Sequence, residues 1–248
     1  MKTVRSTVRF TLLFLLSFGI YGLWLLLSFV IPNKVYWRQL IFELWSRGFL
    51  RIAGIEVEVI GSPPQPPFFL VSNHLGYIDI PVIRSVVPGV FVAKHDIGDW
   101  PLVGRMITNM GTIFVNRDRR KSIPIAGEKV IDRLSQGEGV IVFPEGTSTK
   151  GESVLPFNSS FLEFAARSDV PVSFLSISYR TPPGEPPPSE SVCWWDDTPF
   201  IKHLLGMFGV SRFTAILNFG DQPITDPDRK QLAARLHSNV SGSFIPML

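Results

Sequence analysis

From Phe10 to Ile31 the chain runs for 22 residues without a charge, most of them Leu, Phe or Ile. A helix rises about 1.5 Å per residue, so this stretch matches a bilayer core of about 30 Å. Lys2, Arg5 and Arg9 precede it, while Pro32-Asn33-Lys34 closes it and Arg38 follows. Basic flanks on both sides leave the orientation undetermined by charge. The exit Ser28-Phe29-Val30-Ile31-Pro32 lacks the small-x-small pattern of a cleaved signal, so residues 1–34 read as a retained membrane anchor. Ser17, Gly19 and Gly22 interrupt the run lightly and leave open a helix that lies in the interface or re-enters one leaflet.

Between Val35 and Ile52, apolar residues recur at helical spacing: Tyr36, Trp37, Leu40, Ile41, Leu44, Trp45 and Phe49. This amphipathic helix suits either a headgroup boundary or the side of a folded domain. Gly61-Ser62-Pro63-Pro64-Gln65-Pro66-Pro67 reads as a stiff linker, which sets the expected organisation: anchor 1–34, amphipathic helix and linker 35–67, and a catalytic domain over 68–248. Within that domain the apolar runs Phe68–Ser72, Val90–Ala93, Thr112–Val115, Val140–Phe143, Val172–Ser178 and Phe213–Phe219 are predicted strands. Helical patterns cover Ile80–Val87, Ile123–Leu134, Phe161–Ala166 and Asp226–Val240. Alternation of this kind predicts an α/β fold with a mixed central sheet surrounded by helices.

At 248 residues and 45% hydrophobic, the chain can bury a sizeable core, and 18% charged residues argue against disorder. A net charge of +3 with scattered basic residues gives no nucleic-acid footprint. Cys193 is the sole cysteine, which excludes an internal disulfide and suits a reducing, cytosol-facing domain; it reads as a packed hydrophobe. No G-x-S-x-G, Walker loop, HExxH or CxxC is present, so the expected chemistry is acid–base, with no metal and no cofactor.

Three predicted strands end in reactive side chains. Asn73 and His74 leave the first, with Asp79 five residues after the histidine. A nearby carboxylate can fix one imidazole tautomer so that the other nitrogen accepts a proton, although Asp79 could equally cap the next helix. Gly111-Thr112-Ile113-Phe114-Val115-Asn116-Arg117 ends in a guanidinium able to fork onto a phosphate or carboxylate. Val142-Phe143-Pro144-Glu145-Gly146-Thr147-Ser148 ends in an acid and a hydroxyl. His95 and His203 read as surface and packing residues.

The ordered set N-H-x4-D, G-x-x-F-x-x-R and F-P-E-G-T resembles the glycerolipid acyltransferase family, over roughly Phe68 to Ser178. Phe91-Val92-Ala93-Lys94, Trp100-Pro101-Leu102-Val103-Gly104 and Leu155-Pro156-Phe157 are similar to segments that flank the family's site. The resemblance implies that His74 is the general base on an acceptor hydroxyl, with Asp79 orienting it. Lys94, Arg117, Glu145, Gly146 and Thr147 would shape the acceptor pocket. It implies further an acyl-CoA or acyl-carrier-protein donor, a lysolipid acceptor, and a site at a membrane surface. The acceptor expected first is 1-acyl-sn-glycerol-3-phosphate, at a bacterial inner membrane with the domain facing the cytoplasm. Ser148 stands where many members carry Arg, and Asn158-Ser159-Ser160 replaces a frequent Lys-Gly; this pattern resembles a bacterial subgroup that includes lyso-ornithine lipid acyltransferases. A membrane-tethered lipid binder without chemistry is the alternative of a different class, which has little use for an Asp-oriented base.

Overall fold

A computed structural model describes residues 2–116 and 122–247. The helices are α1 (Lys2–Leu27), α2 (Lys34–Ala53), α3 (Asp79–Arg84), α4 (Val103–Asn109) and α5 (Ser122–Ser135), then α6 (Glu163–Arg167), α7 (Pro188–Ser191), α8 (Phe200–Gly209) and α9 (Arg229–Ser243). The strands are β1 (Ile55–Ile60), β2 (Phe68–Ser72), β3 (Val90–Lys94), β4 (Ile113–Val115), β5 (Gly139–Val142), β6 (Val172–Arg180) and β7 (Phe213–Phe219). They form one sheet in the order β1-β7-β6-β2-β5-β3-β4. Every neighbouring pair is parallel except β6 and β7, which makes the sheet mixed, as the sequence predicts.

The sheet is a partition between two cores, and the strand period of two assigns side chains to each. On β2, Phe68 and Leu70 join one core while Phe69 and Val71 join the other. On β6, Leu175, Ile177 and Tyr179 enter the first, and Val172 and Phe174 enter the second. The first core is covered by α2, α3 and α8, the second by α5, α6 and α9. Burial on both faces explains why these strands read as continuous apolar runs.

Three elements depart from the sequence expectation. Ile55–Ile60, assigned to the segment ahead of the domain, is an edge strand of the same sheet, in register with β7 from Ile55↔Phe213 to Ile60↔Asn218. Its alternating I-E-V-E-V-I is the pattern of a half-covered edge strand. Helices α4 and α7 are not among the expected helical segments, whereas α8 starts at Phe200 in the aromatic segment that carries His203, where the sequence suggests a helix start. Between the two readings of α2, packing decides: Trp37, Ile41, Phe42, Phe49 and Leu50 are buried against the domain, and only Tyr36 and Leu44 of its apolar residues stand exposed. Asn33 starts the helix by accepting the Tyr36 N–H at 2.9 Å.

Helix α1 rests on the domain along one edge. Arg5 donates to the Gly209 carbonyl (2.6 Å), and Arg9 donates to Val210 (2.6 Å) and Ser211 (2.8 Å), so both guanidinium groups sit on the carboxyl end of α8. Further along, Trp45 Nε1 donates to Ser17 Oγ (2.9 Å) and Asn109 Nδ2 to Tyr21 (2.7 Å). The opposite edge, with Val4, Val8, Leu12, Leu15 and Leu26, is exposed.

Candidate active site

The backbone after β2 makes a tight turn before α3, and the turn is built around one carboxylate. Asp79 is fully buried, and its Oδ2 lies 2.7 Å from Nδ1 of His74. The same oxygen accepts the Leu75 N–H at 2.7 Å and the Gly76 N–H at 3.1 Å. Oδ1 accepts the Tyr179 hydroxyl at 2.6 Å. Four donors converge on one anion, which offsets the cost of burying it. Asp79 is the first residue of α3 and its carboxylate turns back into the preceding turn; the helix start has no side-chain cap. Its position therefore answers to the histidine rather than to the helix.

His74 is held on every side but one. Its N–H donates to Glu145 Oε1 at 2.7 Å, and its carbonyl accepts the Thr149 N–H at 3.0 Å. The imidazole stacks on Phe143 with centroids 4.1 Å apart and planes 14° from parallel. With Nδ1 occupied by Asp79, Nε2 carries the lone pair, and no hydrogen bond from the described residues takes it. The ring is one-fifth exposed, so Nε2 can accept a proton from a bound molecule.

Asn73 secures the strand that delivers this turn. Its Nδ2 donates to the Ile177 carbonyl (3.0 Å), and its Oδ1 accepts the Ile177 N–H (2.8 Å). The side chain thus supplies one more rung to the β2–β6 ladder.

Glu145 clasps two segments: Oε1 holds His74 N–H, and Oε2 accepts the Leu155 N–H at 2.9 Å. Burial pushes its carboxyl up to about 7, against the pull of those two amides. Both oxygens are engaged by backbone, so the residue sets the shape of the turn. Gly146 follows at φ +80°, a left-handed conformation that a side chain would strain. Thr147 is exposed beside it. Lys94 ends β3 at the same carboxyl edge of the sheet, where Asp96 pairs with its ammonium at 2.5 Å. Arg117 lies outside the described residues, so the structure gives no position for its side chain.

Segment 192–199 closes over the turn. Trp194 N–H donates to the Leu75 carbonyl (2.8 Å), and Ser148 Oγ donates to the Trp194 carbonyl (2.5 Å). A Cβ at position 76 would meet the Trp194 nitrogen at 3.0 Å, so Gly76 lets the segment approach. His203 packs there: Tyr77 OH lies 2.9 Å from Nδ1 and Nε2 lies 3.0 Å from the Cys193 carbonyl, which fits a neutral ring, and burial lowers its pKa. Cys193 is buried, and burial raises its thiol pKa. Among the described residues no group of three His, Cys, Asp or Glu side chains gathers as metal ligands would.

Sequence reading singled out neither Phe143 nor Tyr179 as a site residue. Phe143 had a signal, because it opens the F-P-E-G-T block; Tyr179 is 100 residues from Asp79 and had none.

An α/β sheet whose strand ends present an Asp-held histidine with an open ring nitrogen has the parts for general-base chemistry on a hydroxyl. Comparison with known proteins narrows that chemistry. The Acyltransferase family model matches residues 55–178. The chain is 32% identical over 212 residues to a lyso-ornithine lipid O-acyltransferase of Rhodobacter capsulatus, covering 82% of this chain and 75% of that one. It is 32% identical over 150 residues to a 1-acyl-sn-glycerol-3-phosphate acyltransferase of Neisseria meningitidis, covering 60% and 58%. The crystal structure of the Thermotoga maritima 1-acyl-sn-glycerophosphate acyltransferase PlsC shares the fold, with a TM-score of 0.68 at 24% identity over 98% of this chain and 97% of that one. The chain belongs to the acyltransferase family and is an acyltransferase.

Proposed function

We propose that the chain moves a fatty acyl group from a thioester, acyl-CoA or acyl-carrier protein, onto the free hydroxyl of a lysolipid. The observation that carries this is the open Nε2 of His74, with Nδ1 held by buried Asp79 at 2.7 Å. Nε2 takes the acceptor's proton as its oxygen bonds to the thioester carbonyl. The C–S bond then breaks, and the departing sulfur takes the proton back from Nε2. The nucleophile is the substrate's own hydroxyl, so no acyl-enzyme forms. Asp79 fixes the tautomer and stabilises the imidazolium, while Glu145, Gly146 and Thr147 shape the acceptor side and Lys94 and Arg117 supply positive charge.

Two acceptors compete: 1-acyl-sn-glycerol-3-phosphate, giving phosphatidic acid, and lyso-ornithine lipid. The second has an observation on its side. Ser148 puts a hydroxyl where many family members put a guanidinium, and that hydroxyl is committed to the Trp194 carbonyl. The Rhodobacter relative carries the same acceptor in its name. Purified protein given a labelled acyl thioester and a panel of lysolipids decides between them, and no labelled product from any lysolipid would refute the reading. Ser148→Arg is expected to shift the acceptor ratio toward the phosphate lipid; an unchanged ratio would remove this turn from headgroup selection.

The membrane reading rests on α1. Polar contacts from Arg5 to Tyr21 bind one edge of the helix to the domain, so a perpendicular crossing would drag the domain into hydrocarbon. Its exposed apolar edge instead lies in one leaflet, with the site on the thioester side, the cytoplasmic face of a bacterial inner membrane. Alkaline carbonate is expected to leave the protein in the pellet and detergent to release it; recovery in the carbonate supernatant would overturn the assignment.

A further inference from the structure

Tyr179 is a buried phenol that the proposed chemistry does not use and that nothing in the family comparison singles out. It lies on β6, on the face shared with Leu175 and Ile177, and its ring meets Phe213 edge-on at 5.9 Å. Its hydroxyl donates to Asp79 Oδ1 at 2.6 Å. The two oxygens of Asp79 are served unequally: Oδ2 takes the imidazole and two turn amides, whereas Tyr179 alone donates to Oδ1 among the described residues. Rotation about the Cβ–Cγ bond displaces both oxygens, so a donor at Oδ1 adds to the resistance that the three donors at Oδ2 already offer. Pinned at both, the carboxylate presents a fixed edge to Nδ1.

We propose that Tyr179 is a positioning residue for the acyl transfer: by donating to Asp79 Oδ1 it locks the carboxylate plane, and it sets how much negative charge the carboxylate presents to the His74 ring. This rests on the reading of His74 as the general base. Tyr179 does not reach His74 Nε2 or substrate; it acts entirely through Asp79. Its phenol stays protonated throughout the working range, because burial and the Asp79 charge both raise its pKa. The hydroxyl is therefore a permanent donor.

Removing it has two consequences. The carboxylate loses its second anchor, so the imidazole spends less time aligned, and turnover falls. A charge-assisted hydrogen bond of this kind corresponds to about ten- to a hundredfold. The carboxylate also keeps more of its charge for the imidazole, which makes His74 more basic and moves the acid limb of the rate profile to higher pH. Other groups face this centre: Glu145 from the β5 turn, Cys193 from the segment over the turn, Tyr77 within the turn, and His203 from α8 through Tyr77. Cys193, Tyr77 and His203 are held neutral near pH 7. Glu145 is not, with a carboxyl near 7, so its titration must be removed from the measurement.

The test measures kcat and KM against pH for full-length protein, with palmitoyl-CoA and the lysolipid used best in the panel. Tyr179→Phe is expected to lower kcat about ten- to a hundredfold, leave the acceptor KM unchanged and raise the acid limb, in the wild-type and Glu145→Gln backgrounds alike. In an Asp79→Asn background the same change should cost little more, since its route of action is gone. Phe213→Leu, which removes ring packing and spares the hydroxyl, should lower the unfolding midpoint without moving the limb. Should Tyr179→Phe fold poorly, 3-fluorotyrosine at 179 replaces it: a stronger donor of nearly the same shape, expected to move the limb down. A Tyr179→Phe protein with unmoved kcat and acid limb, or a full multiplicative loss on top of Asp79→Asn, would overturn the proposal. Activity surviving in His74→Ala would instead remove the base on which it rests.

Discussion

The turn around His74 and the helix α1 are both fastened to the domain by a few polar contacts, but the contacts close in opposite directions. In the turn, side chains reach inward to satisfy each other and the backbone, and the anion at the centre has all four of its donors within the fold. Along α1, arginines reach inward to the carboxyl end of α8, while an apolar edge of Val4, Val8, Leu12 and Leu15 stands exposed among the described residues. The first region is complete by itself; the second keeps an apolar edge exposed. Chemistry that depends on tenths of an ångström sits where the protein supplies every contact. The apolar edge of α1 is where the described fold leaves a surface open.

This contrast can be broken at several points. His74→Ala carries the largest expected effect, a loss of about 10²–10⁴ in turnover with the unfolding midpoint close to wild type, because Asp79 keeps three donors; steady-state kinetics beside a thermal melt reads both. Asp79→Asn should lower turnover less but destabilise more, by about 1–3 kcal/mol, since the amide's NH₂ faces donors where an oxygen accepted them. A melt unchanged in Asp79→Asn would show that the turn is not built around this carboxylate.

On the other side, Arg9→Ala should cost about 1–2 kcal/mol of stability and leave turnover on micellar acceptor unchanged, because it uncaps α8 without touching the turn. A turnover loss at constant stability would show that the two regions are coupled. The smallest effect is on pH dependence. Glu145 has a folded pKa near 7, above its ordinary 4.5, so the folded state retains a proton that the unfolded chain has released between those values. Its contribution to stability therefore falls as pH rises from about 4.5 to 7, by up to about 1.4 kcal/mol per unit, and is flat outside that window. Denaturant titrations of wild type and Glu145→Gln at pH 5 and pH 8 compare the two slopes.

What the sequence disclosed follows from the range of the interactions. The contact of His74 with Asp79 was legible because five residues and one turn contain the pair, and the turn at Glu145 because a short block carries it. Six strands were legible because burial on both faces leaves unbroken apolar runs. Ile55–Ile60 carries the alternation of an edge strand but was passed over because it lies between a strong helix and a proline-rich stretch that reads as a linker. Helices α4 and α7 were passed over because seven and four residues are too few to show a helical period. The choice between a membrane-facing and a packed α2 had no local answer at all, since one stripe serves both; only the position of Phe91 and Phe208 opposite Phe42 and Phe49 settles it. Tyr179 reaches Asp79 across 100 residues, a distance at which spacing says nothing.

Strand β6 changes partner along its length: Val172 to Leu175 pair with β2, and Leu175 to Arg180 pair antiparallel with β7. One continuous strand is thereby divided between two sets of packing demands. Its first half answers only to volume and β-propensity, so Val, Ile and Leu should interchange there at little cost. The second half outruns β2, with Asn73 filling the next rung beside Ile177 and Tyr179 standing behind the carboxylate. There the loss of a single oxygen atom is as consequential as the loss of a whole side chain would be four residues earlier. A saturation-mutagenesis profile along this strand should therefore change character at Leu175, tolerant of apolar exchange before it and dictated by individual atoms after it.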